Sequence, residues 1–184
     1  MKSSVKKSKA FRVLSRKTVF RGYVSELDVL RIQTASGRRV QRELIRHPGA
    51  VVIIPKLPDG RLILIHQLRV ATGQRIWEFP AGTLEKGESP YWCAVRELQE
   101  ETGWKAGRMK KILTFYPTPG ISTEIMYLFL ADHLREGTDH HPDVDEELEV
   151  EYFQTGQLER MIRQGKIIDG KTILGFLLYQ RLSK

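Results

Sequence analysis

The sequence predicts an α+β fold in which strands and helices share one core, preceded by a small antiparallel β meander. Short apolar and β-branched segments, separated by turn residues, recur through residues 11–79, as expected of strands. One amphipathic helical pattern with clear start and stop signals follows at 90–102. Three strand patterns and then two helical patterns follow to the end of the chain. Mixed strands and helices over one core indicate an α+β fold or an α/β/α sandwich.

The meander is predicted over residues 11–45, from segments that mix β-branched and polar residues at 11–20, 23–33 and 38–45. The stretch Thr34-Ala35-Ser36-Gly37 supplies a turn between the last two segments. Residues 1–10 precede the meander and are predicted to be a flexible basic tail.

The body of the fold, residues 46–184, is predicted to begin with apolar strands at 50–55 and 61–69. Pro58-Asp59-Gly60 is a strong turn signal, so we expect these two strands to form a hairpin. A short strand at 76–79 leads into a glycine-rich segment. Further strands are predicted at 111–116, 125–131 and 148–153, and helices at 157–164 and 171–182.

The helix at 90–102 has the best-defined ends in the chain. Ser89 can cap it, Pro90 suits its first position and Gly103 can end it. Cys93 lies about 160° from the predicted core-facing stripe, at ~100° per residue, so we expect it to be incidental. The stripe consists of Tyr91, Ala94, Val95, Leu98 and Thr102.

Composition and charge limit the possible partners. Eight of the 30 Lys and Arg residues lie in residues 1–21, which contain no acid, so the rest of the chain has 22 basic and 22 acidic residues. The basic tail leaves weak attraction to RNA or phosphate as an alternative, but no aromatic-interleaved basic stripe predicts a nucleic-acid partner. No apolar run has membrane-spanning length. The single Cys93 excludes an intrachain disulfide and fits a reducing, cytoplasmic location.

The helix at 90–102 carries the residues that indicate chemistry. Glu97 and Glu101 lie one turn apart and about 40° apart around the axis, at the edge of the predicted core. Two carboxylates this close repel each other unless a cation lies between them, and oxygen ligands favour Mg²⁺ or Mn²⁺. Glu100 lies further toward solvent. A solvated acidic helix is the alternative for glutamates taken in isolation.

The residues before the helix strengthen the metal-site interpretation. Gly82 and Gly87 allow the backbone to approach a phosphate and a metal closely. The carbonyl of Ala81 could complete the shell of the ion, and Glu88 could reach the same site or cap the helix. Arg96 could neutralise and orient one of the glutamates.

Residues 82–104 resemble the sequence box of the Nudix hydrolases. The positions that carry the resemblance are Gly82, Glu88, Arg96, Glu97, Leu98, Glu100, Glu101 and Gly103. Trp104 departs from the pattern, because the family usually has an aliphatic residue there. The resemblance implies an α/β/α sandwich with a mixed sheet that hydrolyses a nucleoside diphosphate linked to another group. It also implies Mg²⁺ bound mainly by Glu97 and Glu101, with Glu100 as an additional ligand or water partner.

Over about residues 18–180 the chain looks like the ADP-ribose pyrophosphatase branch of that family. The segments that carry this likeness are Phe20-Arg21-Gly22-Tyr23, Arg42-Glu43, His47-Pro48-Gly49-Ala50-Val51, Gln67-Leu68-Arg69, Trp77-Glu78-Phe79-Pro80-Ala81-Gly82 and Pro117-Thr118-Pro119-Gly120. The likeness implies homodimers that exchange N-terminal strands, a role suited to residues 11–45. It also implies that ADP-ribose is cut to AMP and ribose 5-phosphate.

The same likeness assigns the substrate contacts. Arg42 and Arg69 would hold phosphates or the terminal ribose, and Tyr23, from a partner subunit, would stack on adenine. Trp77 would line the pocket, and Glu78 belongs to the same substrate-binding segment. Ala81 would offer its carbonyl to the metal.

The acidic loop at 143–148 is expected to complete the site. Aligned on the family, Glu146 becomes a further metal ligand, but Val144 falls where some members carry the general base. Asp143, Asp145 or Glu147 could serve after a small loop shift, and we assign the role to Glu147. A glutamate of the box, or a loop that is merely solvated, are the alternatives.

Two other functions remain open at this point. A different nucleotide sugar, a dinucleotide or an oxidised nucleotide could be the substrate of the same chemistry. The alternative of another class is a metabolite sensor or an RNA-associated protein on a Nudix body. RNA association would rest on the basic tail alone, so deletion of residues 1–10 should abolish it and spare hydrolysis.

Overall fold

A computed structural model describes residues 10–137 and 148–182 of the chain. The chain divides into two compact units. The first comprises the residues up to Pro48 together with Thr118–Glu124, and the second comprises Gly49–Pro117 and the residues from Ile125 onward. The first unit therefore includes a segment, 118–124, that the sequence analysis placed in the second domain.

The first unit is built on the predicted antiparallel meander. Its strands run in the order β1-β2-β3 and are β1 (Phe11–Arg21), β2 (Glu26–Thr34) and β3 (Arg39–Arg46). The predicted turn forms between β2 and β3, where Gly37 has a φ of 83° and donates its N–H to the carbonyl of Thr34 at 2.9 Å. A left-handed φ of this kind suits glycine, which lacks a Cβ. The prediction of an N-terminal meander is confirmed.

The second unit contains seven strands and three helices within the described residues. In chain order they are β4 (Ala50–Pro55), β5 (Leu62–Arg69), β6 (Gln74–Glu78), β7 (Ala81–Thr83), α1 (Pro90–Thr102), β8 (Trp104–Phe115), β9 (Met126–Glu136), β10 (Glu149–Phe153), α2 (Thr155–Arg163) and α3 (Gly170–Leu182). The strands β8 and β9 are longer than predicted, and β7 was not predicted. The other elements agree with the predicted ones to within two residues at most of their ends.

The strands of the second unit form two sheets. One has the order β7-β4-β9-β8, with β4 and β9 parallel and the other neighbours antiparallel, so the sheet is mixed as expected. The other has the order β10-β5-β6 and is antiparallel. No helix within 10–137 and 148–182 combines the length and the apolar character that a membrane crossing requires.

The predicted hairpin of β4 and β5 is wrong. The turn between them does form, with the N–H of Leu57 donating to the carbonyl of Arg61 at 2.9 Å, but one bridge, between Lys56 and Leu62, is all that joins the two sides. The strands then enter different sheets, where β4 lies between β7 and β9 and β5 lies between β10 and β6. Both strands are apolar on both faces, which suits the centre of a covered sheet.

Helices cover both sides of the central strands. Alternate residues of β4 enter different clusters, because successive side chains of a strand point to opposite faces. Val52 and Ile54 pack in the cluster that contains Phe176 of α3, whereas Val51 and Ile53 pack in the one that contains Leu98 of α1. The structure is therefore the α/β/α arrangement that the sequence predicted.

The ends of α1 are as predicted. Ser89 accepts a hydrogen bond from the N–H of Trp92 at 3.3 Å, and Gly103 ends the helix with a φ of 74°. The buried face differs from the predicted stripe, because Tyr91 is exposed and Cys93 is completely buried. The helix packs against β7 as well as the central strands, and this contact turns its buried face toward Cys93, away from Tyr91.

Candidate active site

Glu101 lies where α1 meets β7. Its side chain is buried, and its Oε2 accepts a hydrogen bond from the N–H of Ala81 at 2.9 Å. Ala81 begins β7 and pairs with Val52 of β4, which fixes the backbone that the carboxylate contacts. A buried carboxylate needs hydrogen bonds or a cation to offset its lost hydration, and here the backbone supplies one such bond.

Glu97 lies one turn before Glu101 and rests on the next residue of β7. A Cβ built on Gly82 would overlap the carboxylate of Glu97, so the side chain occupies the space that any other residue would fill. Gly82 is thus required here for close approach, not for an unusual φ. Two carboxylates of α1 consequently rest on two adjacent residues of one short strand.

Arg96 connects the remaining glutamates. Its Nε and Nη2 each donate to Glu88 at 3.0 Å, in a two-pronged pair. Its Nη1 donates to Glu97 Oε1 at 2.8 Å and to Glu100 Oε2 at 2.9 Å. The hydrogen bond from Arg96 holds the pKa of Glu88 below its usual value, and the bond to Glu88 raises the pKa of the guanidinium further. The sequence predicted that Arg96 contacts one glutamate, and in the structure it contacts three.

We call this set the acidic cluster: Glu88, Glu97, Glu100 and Glu101 with Arg96. Cys93 lies beside it, where Arg96 Nη2 is 3.5 Å from the sulfur. Burial, with a further contribution from the charge of Glu97, raises the pKa of the Cys93 thiol far above its usual range. A thiol that stays protonated is a poor nucleophile, so Cys93 serves packing.

A second group of charges surrounds Glu78 at the end of β6. Arg69 Nε donates to Glu78 Oε1, and Arg69 Nη2 donates to Glu78 Oε2, both at 2.7 Å. Lys171 of α3 contacts the same carboxylate and also pairs with Asp169 at 2.9 Å. Burial acts to raise the pKa of Glu78, but the hydrogen bonds and charges of Arg69 and Lys171 outweigh it and lower the pKa.

We call this second set the balanced group: Glu78, Asp169, Arg69 and Lys171. The sequence predicted substrate-binding roles for Arg69 and Glu78 but none for Lys171 and Asp169. The sequence offers one local sign of these two residues, a polar Asp-Gly-Lys-Thr stretch at the start of the last predicted helix. It does not reveal a contact between residues 93 positions apart.

Trp77 lies on the opposite face of its sheet from Glu78. Its ring stacks on His66 with centroids 4.3 Å apart, and it meets Phe153 edge-on at 5.2 Å. It packs against the hydrophobic cluster under α2 and α3. The predicted pocket-lining residue is therefore placed in packing, beside His66, on the face that Glu78 does not share.

The other predicted site residues lie elsewhere in the chain. Tyr23 and Arg42 belong to the first unit, where Tyr23 is fully exposed and Arg42 Nη1 donates to the carbonyl of Gln41 at 2.7 Å. Glu146 and Glu147, with the rest of the acidic loop up to residue 147, lie outside the described residues.

The donor chemistry of the acidic cluster fits a hard divalent cation. Glu97, Glu100 and Glu101 offer carboxylate oxygens, and the backbone of Ala81 and Gly82 lies against two of them. Within residues 10–137 and 148–182, no three metal-binding side chains are already grouped as they would be around an ion. Arg96 draws Glu97 and Glu100 toward itself, so the carboxylates that could hold a cation are currently held by a guanidinium.

Comparison with known proteins agrees with this geometry. Residues 46–174, more than two thirds of the chain, match the NUDIX domain. The chain belongs to the Nudix family of hydrolases. The acidic cluster lies in the segment 82–104, which resembles the Nudix sequence box. Nudix hydrolases generally depend on a divalent metal, in agreement with the oxygen donors described above.

Several relatives of this Nudix hydrolase are similar over most of their length. It is 35% identical over 167 residues to an ADP-ribose pyrophosphatase of Bacillus subtilis, covering 90% of each chain. It is 32% identical over 164 residues to a methanol dehydrogenase activator of Bacillus methanolicus, covering 89% of each. It is 35% identical over 163 residues to a GDP-mannose pyrophosphatase of Escherichia coli O157:H7, covering 79% of this chain and 83% of the relative.

A solved structure has the same fold. The crystal structure of an ADP compounds hydrolase superposes with a TM-score of 0.82 at 22% sequence identity, covering 94% of this chain and 93% of that one. At this identity the likeness supports the fold, and the substrate must be argued from the site.

Proposed function

We propose that this Nudix hydrolase cuts ADP-ribose to AMP and ribose 5-phosphate with Mg²⁺ as its metal. The observation that carries the proposal is the acidic cluster, in which Glu97 and Glu101 lie against the backbone of Gly82 and Ala81 while Arg96 holds Glu88 and Glu100 beside them. The similarity to an ADP-ribose pyrophosphatase over 90% of both chains supports the choice of substrate. We further propose that the enzyme is cytoplasmic.

The metal would be held by Glu97, Glu101 and the carbonyl of Ala81, with Glu146 as a further ligand on the family alignment. When bound, Mg²⁺ supplies positive charge that neutralises the diphosphate and makes a water molecule more acidic. Glu97 would have to exchange its contact with Arg96 for the ion. Because Arg96 also holds Glu88 and Glu100, it would keep the cluster in place during that exchange.

Residues of the chain would position the substrate and accept the proton. Arg69 would bind the diphosphate or the terminal ribose, oriented by its two bonds to Glu78. A carboxylate would take the proton of the attacking water, a role that we assign to Glu147, with Glu100 as the alternative among the described residues. Glu100 is the most exposed carboxylate that Arg96 holds, so water can reach it.

We further propose that the enzyme is a homodimer. Tyr23 would stack on adenine and Arg42 would bind phosphate or ribose, with strands of residues 11–45 exchanged between subunits. The fully exposed ring of Tyr23 and the largely exposed β1 support a role for the first unit in binding. In the same scheme Trp77, packed on the face of the sheet opposite Glu78, would support the substrate-binding segment.

A substrate panel tests the proposal. Wild-type enzyme is assayed with ADP-ribose, GDP-mannose, dinucleoside polyphosphates, oxidised nucleotides and nucleoside triphosphates, with products identified by mass spectrometry. We expect ADP-ribose to have the highest kcat/KM and to yield AMP and ribose 5-phosphate. EDTA should abolish turnover and added Mg²⁺ should restore it. Turnover of ADP-ribose that persists in EDTA, or no turnover of it at all, refutes the proposal.

The second candidate is hydrolysis of another nucleotide sugar. The 35% identity to a GDP-mannose pyrophosphatase favours it, and the cluster could perform the same chemistry on that substrate. The same panel separates the two, because GDP-mannose would yield GMP and mannose 1-phosphate. A kcat/KM for GDP-mannose above that for ADP-ribose would decide for this candidate.

A further inference from the structure

The start of α3 is tied to the end of β6 by two side chains, Thr172 and Lys171, and Asp169 bonds to both of these residues. Thr172 Oγ1 accepts the N–H of Phe79 at 2.8 Å in a buried hydrogen bond, and Asp169 Oδ2 accepts the N–H of Thr172 at 2.9 Å. Lys171 lies between them and contacts Glu78. Glu78, the last residue of β6, and Phe79, which follows it, are thus both contacted by side chains of α3.

Lys171 faces the one buried carboxylate that orients Arg69. The side chain of Glu78 is 1% exposed, and those of Lys171 and Arg69 are 13% and 35% exposed. A carboxylate this deeply buried must be neutralised and hydrogen-bonded. Lys171 neutralises Glu78 from α3 and is largely shielded from solvent. Arg69 neutralises the same carboxylate and is more exposed to solvent.

The signs of the charges give Lys171 a consequence for an anionic ligand. With Lys171, the balanced group has two positive and two negative charges. Without it, Glu78 and Asp169 would outnumber Arg69, and the group would repel a diphosphate. The carboxylate of Glu78 would also lose the contact that fixes it opposite Arg69, so the two bonds that orient the guanidinium would loosen.

We propose that Lys171, held by Asp169, is a positioning residue for substrate binding that acts through Glu78 on Arg69. This inference rests on the proposed function in one respect, that Arg69 binds the diphosphate or the terminal ribose. Lys171 itself does not contact substrate. Its effect is on affinity, and it reaches the ligand only when Arg69 is present to transmit it.

Kinetics of Lys171→Met, with Lys171→Arg and Lys166→Met beside it, provide the first test. We expect Lys171→Met to raise the KM for ADP-ribose about tenfold with kcat changed less than about twofold, because ground-state contacts are weakened. Lys171→Arg should restore most of the affinity by retaining the charge. Lys166 is exposed before α3, so Lys166→Met removes the same charge without the contact and should match wild type. Thermal unfolding identifies any variant that fails to fold.

A double-mutant cycle with Arg69→Ala provides the second test, through a readout that a purely structural role would not move. The dissociation constant of ADP-ribose is measured by calorimetry in EDTA, where hydrolysis does not interfere. If Lys171 acts through Arg69, Lys171→Met should weaken binding in wild type and change it little in Arg69→Ala. Additive losses, or a Lys171→Met variant with unchanged affinity, overturn the inference.

The two tests separate this inference from the proposed function. If wild type binds ADP-ribose without hydrolysing it, the proposed function fails while the cycle is still decided on dissociation constants. If wild type hydrolyses ADP-ribose and the cycle is additive, the inference about Lys171 fails and the proposed function stands. Absence of both binding and turnover overturns both.

Discussion

The acidic cluster and the balanced group solve the problem of buried charge in opposite ways. Both bring carboxylates out of water beside β6 and β7, and both use an arginine with a two-pronged grip on a glutamate. The acidic cluster has four carboxylates for one guanidinium. The balanced group has two carboxylates for two cations.

The difference indicates which centre needs something from outside the chain. In the balanced group Arg69 binds Glu78 and Lys171 contacts both Glu78 and Asp169, so two positive charges face two negative ones. In the acidic cluster Arg96 must serve three glutamates at once, and the excess negative charge is offset most directly by a divalent cation. We therefore propose that the balanced group serves stability and orientation, and that the acidic cluster serves to bind an ion.

The largest expected effect comes from removing one charge of the acidic cluster, in Glu101→Gln. Glutamine can still accept the hydrogen bond from the N–H of Ala81, so the fold should be retained. The charge that would hold the metal is lost, and we expect kcat for ADP-ribose to fall about 10²–10³-fold. Circular dichroism and thermal unfolding check the fold beside the kinetics.

The matched control for that variant is Glu151→Gln, on the exposed side of β10. It makes the same chemical change away from the cluster and should leave kcat and KM unchanged. A Glu101→Gln enzyme with normal turnover would remove Glu101 from the metal site.

The next largest effect is expected from Gly82→Ala, which fills the space that the carboxylate of Glu97 occupies. The added methyl group would overlap the carboxylate of Glu97, which is the end of a flexible side chain and can move. We therefore expect a protein of near-normal thermal stability whose kcat/KM falls about 10²-fold, because misplacing a catalytic group by about 1 Å has that effect. A loss of stability with normal specific activity would contradict this assignment.

Gly156→Ala is the control for the glycine substitution. Gly156 lies in α2, where an added Cβ meets one flexible arginine end at 3.7 Å. Alanine favours helix over glycine by about 1 kcal/mol, so this variant should be slightly more stable than wild type and fully active. The pair separates the effect of a methyl group from the effect of its position.

The two centres also differ in how far the sequence predicts them. The acidic cluster is almost local, since Glu88 to Glu101 lie on one helix and its cap, and helical spacing brought Glu97 and Glu101 together correctly. The balanced group depends on α3 meeting β6 in space. Spacing carries no information about such a contact, so Lys171 was missed.

Contacts between residues far apart in the chain also explain the errors in the predicted fold. The turn at Pro58–Gly60 was read correctly, but whether β4 and β5 pair depends on strands far along the chain, such as β9 and β10. Likewise, the burial of Cys93 depends on β7 lying against α1. Local signals predicted element ends and the mixed α/β/α class well, and tertiary contacts decided the rest.

We expect the charge of Glu78 in the balanced group to contribute to the free energy of unfolding, and Glu78→Gln tests this contribution. At pH 7 this variant leaves Lys171 and Arg69 without their shared charge. We expect it to lose about 2 kcal/mol of unfolding free energy, less than a fully buried pair because Arg69 is partly exposed. Urea unfolding at several pH values measures the difference from wild type.

The sign of the pH dependence follows from the pKa of Glu78, which folding lowers below its ordinary value of 4.5. The stabilisation is therefore complete above about pH 4.5 and is lost as the pH falls through the folded pKa. The gap between wild type and Glu78→Gln should be widest at neutral pH and should narrow in acid. A gap that is constant from pH 7 to pH 3 would contradict a charged, paired Glu78.

The smallest effect is expected from an ion pair that water surrounds, Glu159 with Arg163 on α2. Arg163 Nη2 donates to Glu159 Oε1 at 2.6 Å, a contact as short as those in the balanced group, but the side chains are 76% and 44% exposed for Arg163 and Glu159. Glu159→Gln should lower the unfolding free energy by no more than about 0.5 kcal/mol, as for other helical pairs four residues apart. In 1 M NaCl the loss should vanish, because the screening length falls to about 3 Å.

Comparing Glu159→Gln with Glu78→Gln contrasts an exposed glutamate that accepts one bond from an arginine with a buried one that accepts two from Arg69 and also contacts Lys171. If the two losses were equal, distance alone would set the strength of an ion pair in this protein, and the contrast between exposed and buried pairs would have no energetic meaning. If the Glu78 loss is larger and persists in 1 M NaCl, the low-polarity surroundings of Glu78 strengthen its bonds. The same surroundings would then let Lys171 influence Arg69 at the concentration of salt in a cell.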